Sequence, residues 1–293
     1  MGNTEKRIFF GMLALLALVS ALYFYQSLAS ARQVEVYGVS VILCGAGENF
    51  EKGLNGAALE SNADLHIVRV YDPSAAVQTA ALERELKNGA NAVILYRADA
   101  RGLRAWLEKN GAQTPLVFVG DEAFSQKGVS SVSLNAAAQA AALVEEMQKQ
   151  PNRSVYLVEK GDEGGRAEAL AAALTAAGFS FDPIDADEVG ALLNGRVYAA
   201  ASPAAAQALL AVWNEGALLY GMGYDGALKS PLESGRIAAL ALASEFDAGY
   251  LAAEEAVLRI DGERAKSAAL EAFLARTDNM YEAPISTILF PIG

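Results

Sequence analysis

The sequence predicts an α/β protein with two doubly wound parallel-sheet lobes, preceded by one N-terminal transmembrane helix. Three observations support this fold class. From Val34 onward, short aliphatic runs alternate with Ala/Leu-rich stretches of helical period, a pattern typical of a parallel sheet with crossover helices. Two halves, each of the order βαβαβα, follow one another without a Pro- or Ser-rich linker. An uncharged run of 18 residues stands near the N-terminus.

The uncharged run Ile8–Tyr25 predicts a membrane segment within an N-terminal region of residues 1–31. Its length is close to the ~20 residues that cross a bilayer as a helix. Lys6-Arg7 on its N-terminal side predicts a cytoplasmic N-terminus and an extracytoplasmic body on a single-pass anchor. Small residues at 27, 29 and 31 also fit a signal-peptidase site, so a cleaved signal with a periplasmic or secreted body stays open. The length of the run favours the uncleaved anchor.

The remaining elements follow in order along the chain. The predicted strands are Val36–Leu43, Leu65–Val70, Ala92–Tyr96, Leu116–Val119, Val155–Val158, Val197–Ala200 and Leu218–Gly221. The predicted helices are Phe50–Ser61, Ala75–Asn88, Ala100–Asn110, Asn135–Gln150, Arg166–Ala177, Pro203–Glu215 and Ala248–Asp261. Gly89, Gly111 and Gly178 each follow a helix end, where a left-handed residue often closes the last turn.

Composition excludes several classes of function. The formal net charge is −12 and the basic residues are scattered, whereas a protein that binds nucleic acid needs a clustered Lys/Arg surface. We therefore predict no nucleic-acid partner. The single cysteine, Cys44, cannot form an intramolecular disulfide, and one histidine, His66, leaves almost no ligands for structural zinc. No metal and no cofactor are predicted.

The order of motifs in the exported part resembles the type I periplasmic binding proteins, which include sugar-binding proteins of ABC transporters and the ligand domains of LacI-type repressors. The resemblance covers nearly the whole exported chain. Its motifs are Phe50 with Gly56 and Ala57-Ala58, Gln78 with Leu82, Leu86 and Gly89, Ala92-Val93-Ile94, Pro115–Val119, Val132–Asn135, Gly223-Tyr224-Asp225-Gly226, Gly235–Ala239, and Phe246 with Gly249.

This resemblance implies two lobes joined by a three-crossover hinge. It places the crossovers near Leu134–Ala136, Ala243–Asp247 and Ala283–Ser286. The first lobe would hold residues 34–134 and 245–283, and the second would hold 135–244 and 284–293. It further implies a solute, bound between the lobes and enclosed by hinge closure, and delivery of that solute to an ABC permease or a sensor kinase.

Five residues are candidates for contact with a sugar or sugar-like ligand, which requires carboxylates, a guanidinium group and an aromatic face. The resemblance assigns the aromatic position to Phe50, the ligand-binding arginine to Arg166 and the ligand-binding aspartate to Asp225. Asp121 lies close to the Asp-Arg pair of the family, but the register is offset by one and the arginine is absent. Asp99 follows the third strand.

Two other functions compete with solute binding. A membrane-anchored interaction module without a ligand is the alternative, because several hydroxyl-binding groups of the family are missing around Ala201–Pro203 and Ala243–Glu245. An enzyme is disfavoured. Gly45-Ala46-Gly47 after the first strand lacks the third glycine of a dinucleotide-binding loop, and the adjacent carboxylates Asp162 and Glu163 have no partner base.

Overall fold

The computed structural model describes residues 12, 15–21, 36–45, 47–72, 74–161, 165–190 and 194–290. It divides into two compact units, Met1–Val36 and Tyr37–Gly293. In the first unit, residues 12 and 15–21 are helical. Most of the predicted membrane segment Ile8–Tyr25, and of the 1–31 region, lies outside the described residues. Within the described ranges, no helix combines the length and apolar character that a bilayer crossing requires.

The second unit contains the two predicted α/β lobes, each built on a six-stranded sheet. The strand order is β11-β5-β4-β3-β1-β2 in the first sheet and β12-β10-β9-β8-β6-β7 in the second. The strands are β1 Tyr37–Cys44, β2 Ala63–Val70, β3 Ala92–Tyr96, β4 Leu116–Gly120, β5 Val129–Ser133, β6 Ser154–Glu159, β7 Ser180–Asp185, β8 Val197–Ala200, β9 Leu218–Met222, β10 Ala239–Leu242, β11 Ser267–Ala269 and β12 Phe273–Ala275. All pairings are parallel except that of β10 with β12.

Helices cover both faces of each sheet. They are α1 Glu48–Ser61, α2 Ala75–Lys87, α3 Ala100–Asn110, α4 Ala136–Met147, α5 Arg166–Ala176, α6 Pro203–Ala211, α7 Lys229–Glu233, α8 Glu245–Ile260 and α9 Ile285–Leu289. Every residue of β3, β4, β8 and β10 is buried, as expected for inner parallel strands that are covered on both faces. The doubly wound parallel-sheet fold class is therefore confirmed for the described part of the chain.

The polypeptide crosses between the two sheets three times. The first crossing follows β5 at residues 134–135, and the second lies between β10 and α8 at residues 243–244. The third separates β11, in the first sheet, from β12, in the second sheet, at residues 270–272. The predicted position Ala283–Ser286 and the lobe boundary at residue 283 are therefore wrong, because β12 pairs with β10 through Leu242 and Phe273. Residues 273–290 belong to the second lobe.

The first and third crossings lie side by side. Asn135 adopts the left-handed conformation, with φ of 58°, and its Nδ2 donates to the carbonyl of Leu270 at 3.1 Å. The Asn135 backbone N–H donates to Ser133 Oγ at 2.9 Å. One side-chain hydrogen bond, from Asn135 to Leu270, therefore joins two of the three connections.

Candidate ligand-binding site

A cleft with a volume of about 1510 Å³ lies between the two lobes. Its walls come from residues that follow the carboxyl ends of strands in both sheets, where open α/β sheets place their ligands. Arg97 and Asp121 follow β3 and β4 of the first sheet, and Ser202 and Asp225 follow β8 and β9 of the second. The cleft is larger than a typical small-molecule pocket of roughly 300–1,000 Å³.

Two of the predicted residues, Asp121 and Arg166, contact each other across the cleft. Arg166 begins α5 of the second lobe, and its Nε donates to Asp121 Oδ1 of the first lobe at 2.8 Å. The side chain of Arg166 is only 4% exposed and that of Asp121 only 7%. We call this contact the interlobe pair. Arg166 and Asp121, which the sequence analysis predicts as ligand contacts, therefore hydrogen-bond to each other in this structure.

A second ion pair, more exposed than the first, joins Arg97 to Glu245; we call the part of the cleft wall that carries the two pairs the cleft floor. Arg97 Nη2 donates to Glu245 Oε1 at 2.8 Å. Arg97 adopts the left-handed region with φ of 53°, which is uncommon for a residue with a side chain. Its N–H donates to the carbonyl of Val119 at 2.7 Å and fixes this conformation. Glu245 is the first residue of α8, directly after the second crossing.

Tyr96 lies beside these charges at the base of the first lobe. Its side chain is fully buried. Burial raises the pKa of the Tyr96 hydroxyl; Arg97 and Arg166 act in the opposite direction, and Glu245 raises the pKa further. The phenol therefore stays neutral across the physiological range and adds no charge to the floor.

Asp99 and Asp225 both line the cleft, and both also hold a local turn. Asp99 Oδ1 accepts from the backbone N–H groups of Arg101 and Gly102 at 2.8 and 3.1 Å, which caps α3. Asp225 Oδ1 accepts from the N–H of Ala227 at 2.8 Å. An ionised carboxylate accepts about four hydrogen bonds, so this capping leaves each side chain with capacity for a ligand. Both side chains are partly exposed.

The structure places Phe50 in the core of the first lobe. Its side chain is 0% exposed and is not among the cleft-lining residues. Its ring stacks on Tyr96 with centroids 4.1 Å apart. Tyr96 therefore stands between Phe50 and the charged floor of the cleft.

Two aromatic residues outside the predicted set, Tyr71 and Phe290, also line the cleft. Tyr71 directly follows β2 and is 83% exposed at the cleft. Phe290, close to the C-terminus, carries Lys229 Nζ 4.7 Å from its ring centroid. The position of Tyr71 at a strand end was a usable signal. The position of Phe290 was not, because it depends on the third crossing.

Metal and nucleophile chemistry find no support in the described residues. No group of three or more His, Cys, Asp or Glu side chains in these ranges could hold a metal ion. His66 Nε2 lies 3.6 Å from Glu85 Oε2, and His66 is not a cleft residue. Burial raises the pKa of the half-buried Cys44 thiol to about 11, which makes it a weak nucleophile.

Two sheets with these strand orders, three crossings and a cleft at the strand ends constitute the type I periplasmic-binding-protein fold. The resemblance read from the sequence is confirmed at the level of fold. GanP, a glucose-galactose binding protein from Geobacillus stearothermophilus, is 15% identical with a TM-score of 0.71, over 84% of this chain and 99% of GanP.

Two further solved structures share the fold. An ABC transporter solute-binding protein from Agrobacterium vitis, bound with alpha-D-tagatopyranose, is 12% identical with a TM-score of 0.69, over 86% of this chain and 99% of its own. A LacI transcriptional regulator from a Rhodococcus species is 18% identical with a TM-score of 0.65, over 83% and 97%. At these identities the likeness shows the fold alone. No family model matches the sequence, and no curated protein matches it.

Proposed function

We propose that this chain is a solute-binding protein that holds a small, polar, sugar-like molecule between its lobes. The observation that carries the proposal is the cleft of about 1510 Å³, lined by charged side chains of both lobes at the strand ends. Asp99 and Asp121 supply carboxylates from the first lobe, and Arg166 and Asp225 supply charges from the second. Groups on both lobes allow one ligand to bridge them.

Hinge closure is part of the proposal. The cleft exceeds the usual pocket volume, so a monosaccharide-sized ligand would contact both walls only when the lobes approach each other. The crossings at residues 134–135, 243–244 and 270–272 are the segments that would bend, as in other hinged proteins that close around a ligand.

The setting of the protein is also proposed. The uncharged run Ile8–Tyr25 supports a membrane-tethered body outside the cytoplasm, where a captured solute would pass to an ABC permease or a sensor kinase. The solved structures with this fold include ABC transporter solute-binding proteins bound with sugars, which favours the importer. A regulator of the LacI type is less well supported, because an apolar segment stands where a DNA-binding part would be needed.

A membrane-anchored interaction module that binds no solute is the second candidate. One observation favours it: the interlobe pair engages Asp121 and Arg166 with each other. In such a protein the cleft side chains would stabilise the relation between the lobes and would contact no small molecule. Enzymatic activity is not proposed: the charged groups of the cleft floor that the structure describes are engaged in the pairs Asp121–Arg166 and Arg97–Glu245.

Ligand screening of the purified full chain in mild detergent tests the proposal. We expect a sugar or polyol at 100 times its Kd to stabilise the fold by about 2.7 kcal/mol, which raises Tm by roughly 5–10 °C for a chain of this size. Calorimetry would then compare Asp225→Ala with Asp182→Ala, an exposed aspartate on β7 outside the cleft. Asp225→Ala should weaken binding about 10- to 100-fold, and Asp182→Ala should not. Absence of a shift with every sugar, polyol and nucleoside would favour the interaction module.

A further inference from the structure

We infer that the interlobe pair, Asp121 with Arg166, is an interlobe lock: an ion pair that holds the two lobes together at the cleft floor. It sets how often the cleft opens. This inference deepens the proposed function, because it names an ion pair that controls access to the ligand site. Only the effect on a ligand depends on the proposed function. The contact itself is a property of the chain.

Asp121 belongs to the first lobe and is fixed next to the first crossing, by hydrogen bonds that its backbone carbonyl accepts from both sides of that crossing. It follows β4 directly, and its carbonyl accepts from the N–H of Ala136, the first residue of α4, at 2.9 Å. The same carbonyl accepts from Ser133 Oγ at 3.2 Å. The carboxylate therefore projects from a backbone segment that is tied to the first crossing, and it has little freedom to follow a moving partner.

Arg166 is fixed from the side of the second lobe. A Cβ atom built on Gly223 would lie 2.8 Å from Arg166 Nη1, so the guanidinium group packs directly on the backbone after β9. Glycine is required there for a second reason, because Gly223 has φ of 77°. Gly165 directly precedes Arg166, and a Cβ atom on Gly165 would lie 3.0 Å from Glu122 Oε1. The N-terminal end of α5 therefore packs against the Asp121-Glu122 segment of the first lobe.

Burial makes this ion pair different from the surface pairs of the chain. Exposed ion pairs contribute little because water and salt screen them. The interlobe pair is shielded, with side chains 4% and 7% exposed, so solvent competes weakly while the lobes are together. When the lobes separate, both charges regain water, and that hydration opposes the attraction between them; loss of one partner alone leaves a buried charge without its counter-charge, which favours the separated, hydrated form. The result is an equilibrium between joined and separated lobes that the pair biases toward the joined form.

A ligand would enter this equilibrium by exchange. A hydroxyl group donates one hydrogen bond and accepts others, so a hydroxylated ligand reaching the floor can accept from Arg166 and donate to Asp121. It would replace the interlobe pair rather than add to it. The pair therefore restrains opening of the cleft before a ligand arrives and loses its role once a ligand bridges the same side chains.

Distance measurements between spin labels on the full chain test the inference without any ligand. Cysteines at the exposed positions Lys109 on α3 and Ala211 on α6 report on the first and second lobes, in a background with Cys44→Ser. Asp121→Asn and Arg166→Gln should each increase the population with long distances by about tenfold, within the range of couplings between contacting residues. The double variant should open no further than either single variant, because both remove one contact.

A matched control removes an ion pair within one lobe. Arg69 Nη2 lies 2.6 Å from Glu51 Oε2, and both residues belong to the first lobe, so Arg69→Gln should leave the distances unchanged. Folding of each variant is checked by circular dichroism. Unchanged distances in both Asp121→Asn and Arg166→Gln, or additive opening in the double variant, would overturn the inference.

The outcomes also separate this inference from the proposed function. If the wild-type chain binds a sugar but the spin-label distances stay unchanged in both variants, the interlobe lock is refuted and solute binding is not. If the distances increase on loss of the pair but the wild-type chain binds no solute, the interlobe lock is supported and solute binding is refuted.

Discussion

The close crossing of α1 and α8 makes a sharp prediction about two glycines that are one helical turn apart. A Cβ atom on Gly53 would lie 1.9 Å from the carbonyl oxygen of Phe246 and 2.9 Å from the N of Tyr250. Both are backbone atoms of α8, so no side-chain rotation relieves the clash. Since real Cβ contacts essentially never fall below 3.0 Å, Gly53→Ala must push the helices apart by roughly 1 Å.

The loss of stability in Gly53→Ala depends on the core residues that α8 covers. Ala248, Ala252 and Ala256 of α8 belong to the buried core over the first sheet, and a retreating helix loosens their packing. We expect Gly53→Ala to lower the free energy of unfolding by about 3 kcal/mol, the upper part of the usual range for overpacking. On Gly56 a Cβ would meet only side-chain atoms at 3.8 and 3.9 Å. Gly56→Ala should therefore stabilise the chain by up to about 1 kcal/mol through helix propensity.

Urea unfolding followed by circular dichroism measures both variants under identical conditions. The two glycines share a helix, so a general intolerance of alanine in α1 would destabilise both. Equal stabilities of Gly53→Ala and Gly56→Ala would refute the assignment of the cost to the backbone contact with α8.

Two further predictions concern the cleft. Burial raises the pKa of the Cys44 thiol from its ordinary 9.0 to about 11, so the thiolate fraction at pH 8 should be about 100-fold below that of an unburied cysteine; a disulfide reagent should react correspondingly slowly and accelerate in urea, and fast reaction of the folded chain would contradict the burial. Asp99 caps α3 through two backbone N–H groups, so Asp99→Ala should cost about 1 kcal/mol in chemical unfolding. Asp99→Asn should cost much less because an amide oxygen also caps; equal losses would show that charge, not capping, is responsible.

Local sequence patterns predicted the central elements of the fold with accuracy. Strands β3 and β8 and helix α3 begin and end at the predicted residues. Helix α3 lies between the cap Asp99 and Gly111, which has φ of 69°, so both of its ends carry a local signal. Continuous apolar runs in the sequence predicted these strands, because inner parallel strands are buried on both faces.

The peripheral elements lacked such signals. Strand β7 lies at the edge of the second sheet and contains Pro183 and two aspartates, which suit an edge position and hide the strand pattern. Strands β11 and β12 have three residues each, too few to show a period. Their pairings with β5 and β10 are long-range contacts, and for this reason the third crossing was predicted too late.

Four of the five candidate residues, Asp99, Asp121, Arg166 and Asp225, line the cleft, and Phe50 does not. Their role in binding a ligand stays a prediction. The interlobe pair could not be read from the sequence, because its partners are 45 residues apart and belong to different sheets. The position of Phe50 was likewise decided by a distant residue, since Tyr96 stacks on its ring.

The charge of the cleft bears on which ligand can occupy it. The whole chain carries −12, but the charged side chains that line the cleft balance among the residues that the structure describes. Seven are basic, namely Lys52, Arg97, Arg101, Arg104, Lys160, Arg166 and Lys229, and seven are acidic, namely Glu48, Asp99, Asp121, Glu122, Glu168, Asp225 and Glu245.

The two ion pairs of the cleft floor lie among these described lining residues: Asp121–Arg166, which is buried, and Arg97–Glu245, which is partly exposed. An ion entering this floor would leave one partner of a pair without its counter-charge, at a cost of several kcal/mol. A neutral molecule rich in hydroxyl groups can bond to both members of a pair and leave the balance intact. If the proposed solute-binding function holds, the electrostatics of this floor favour a neutral polar solute over an ionic one.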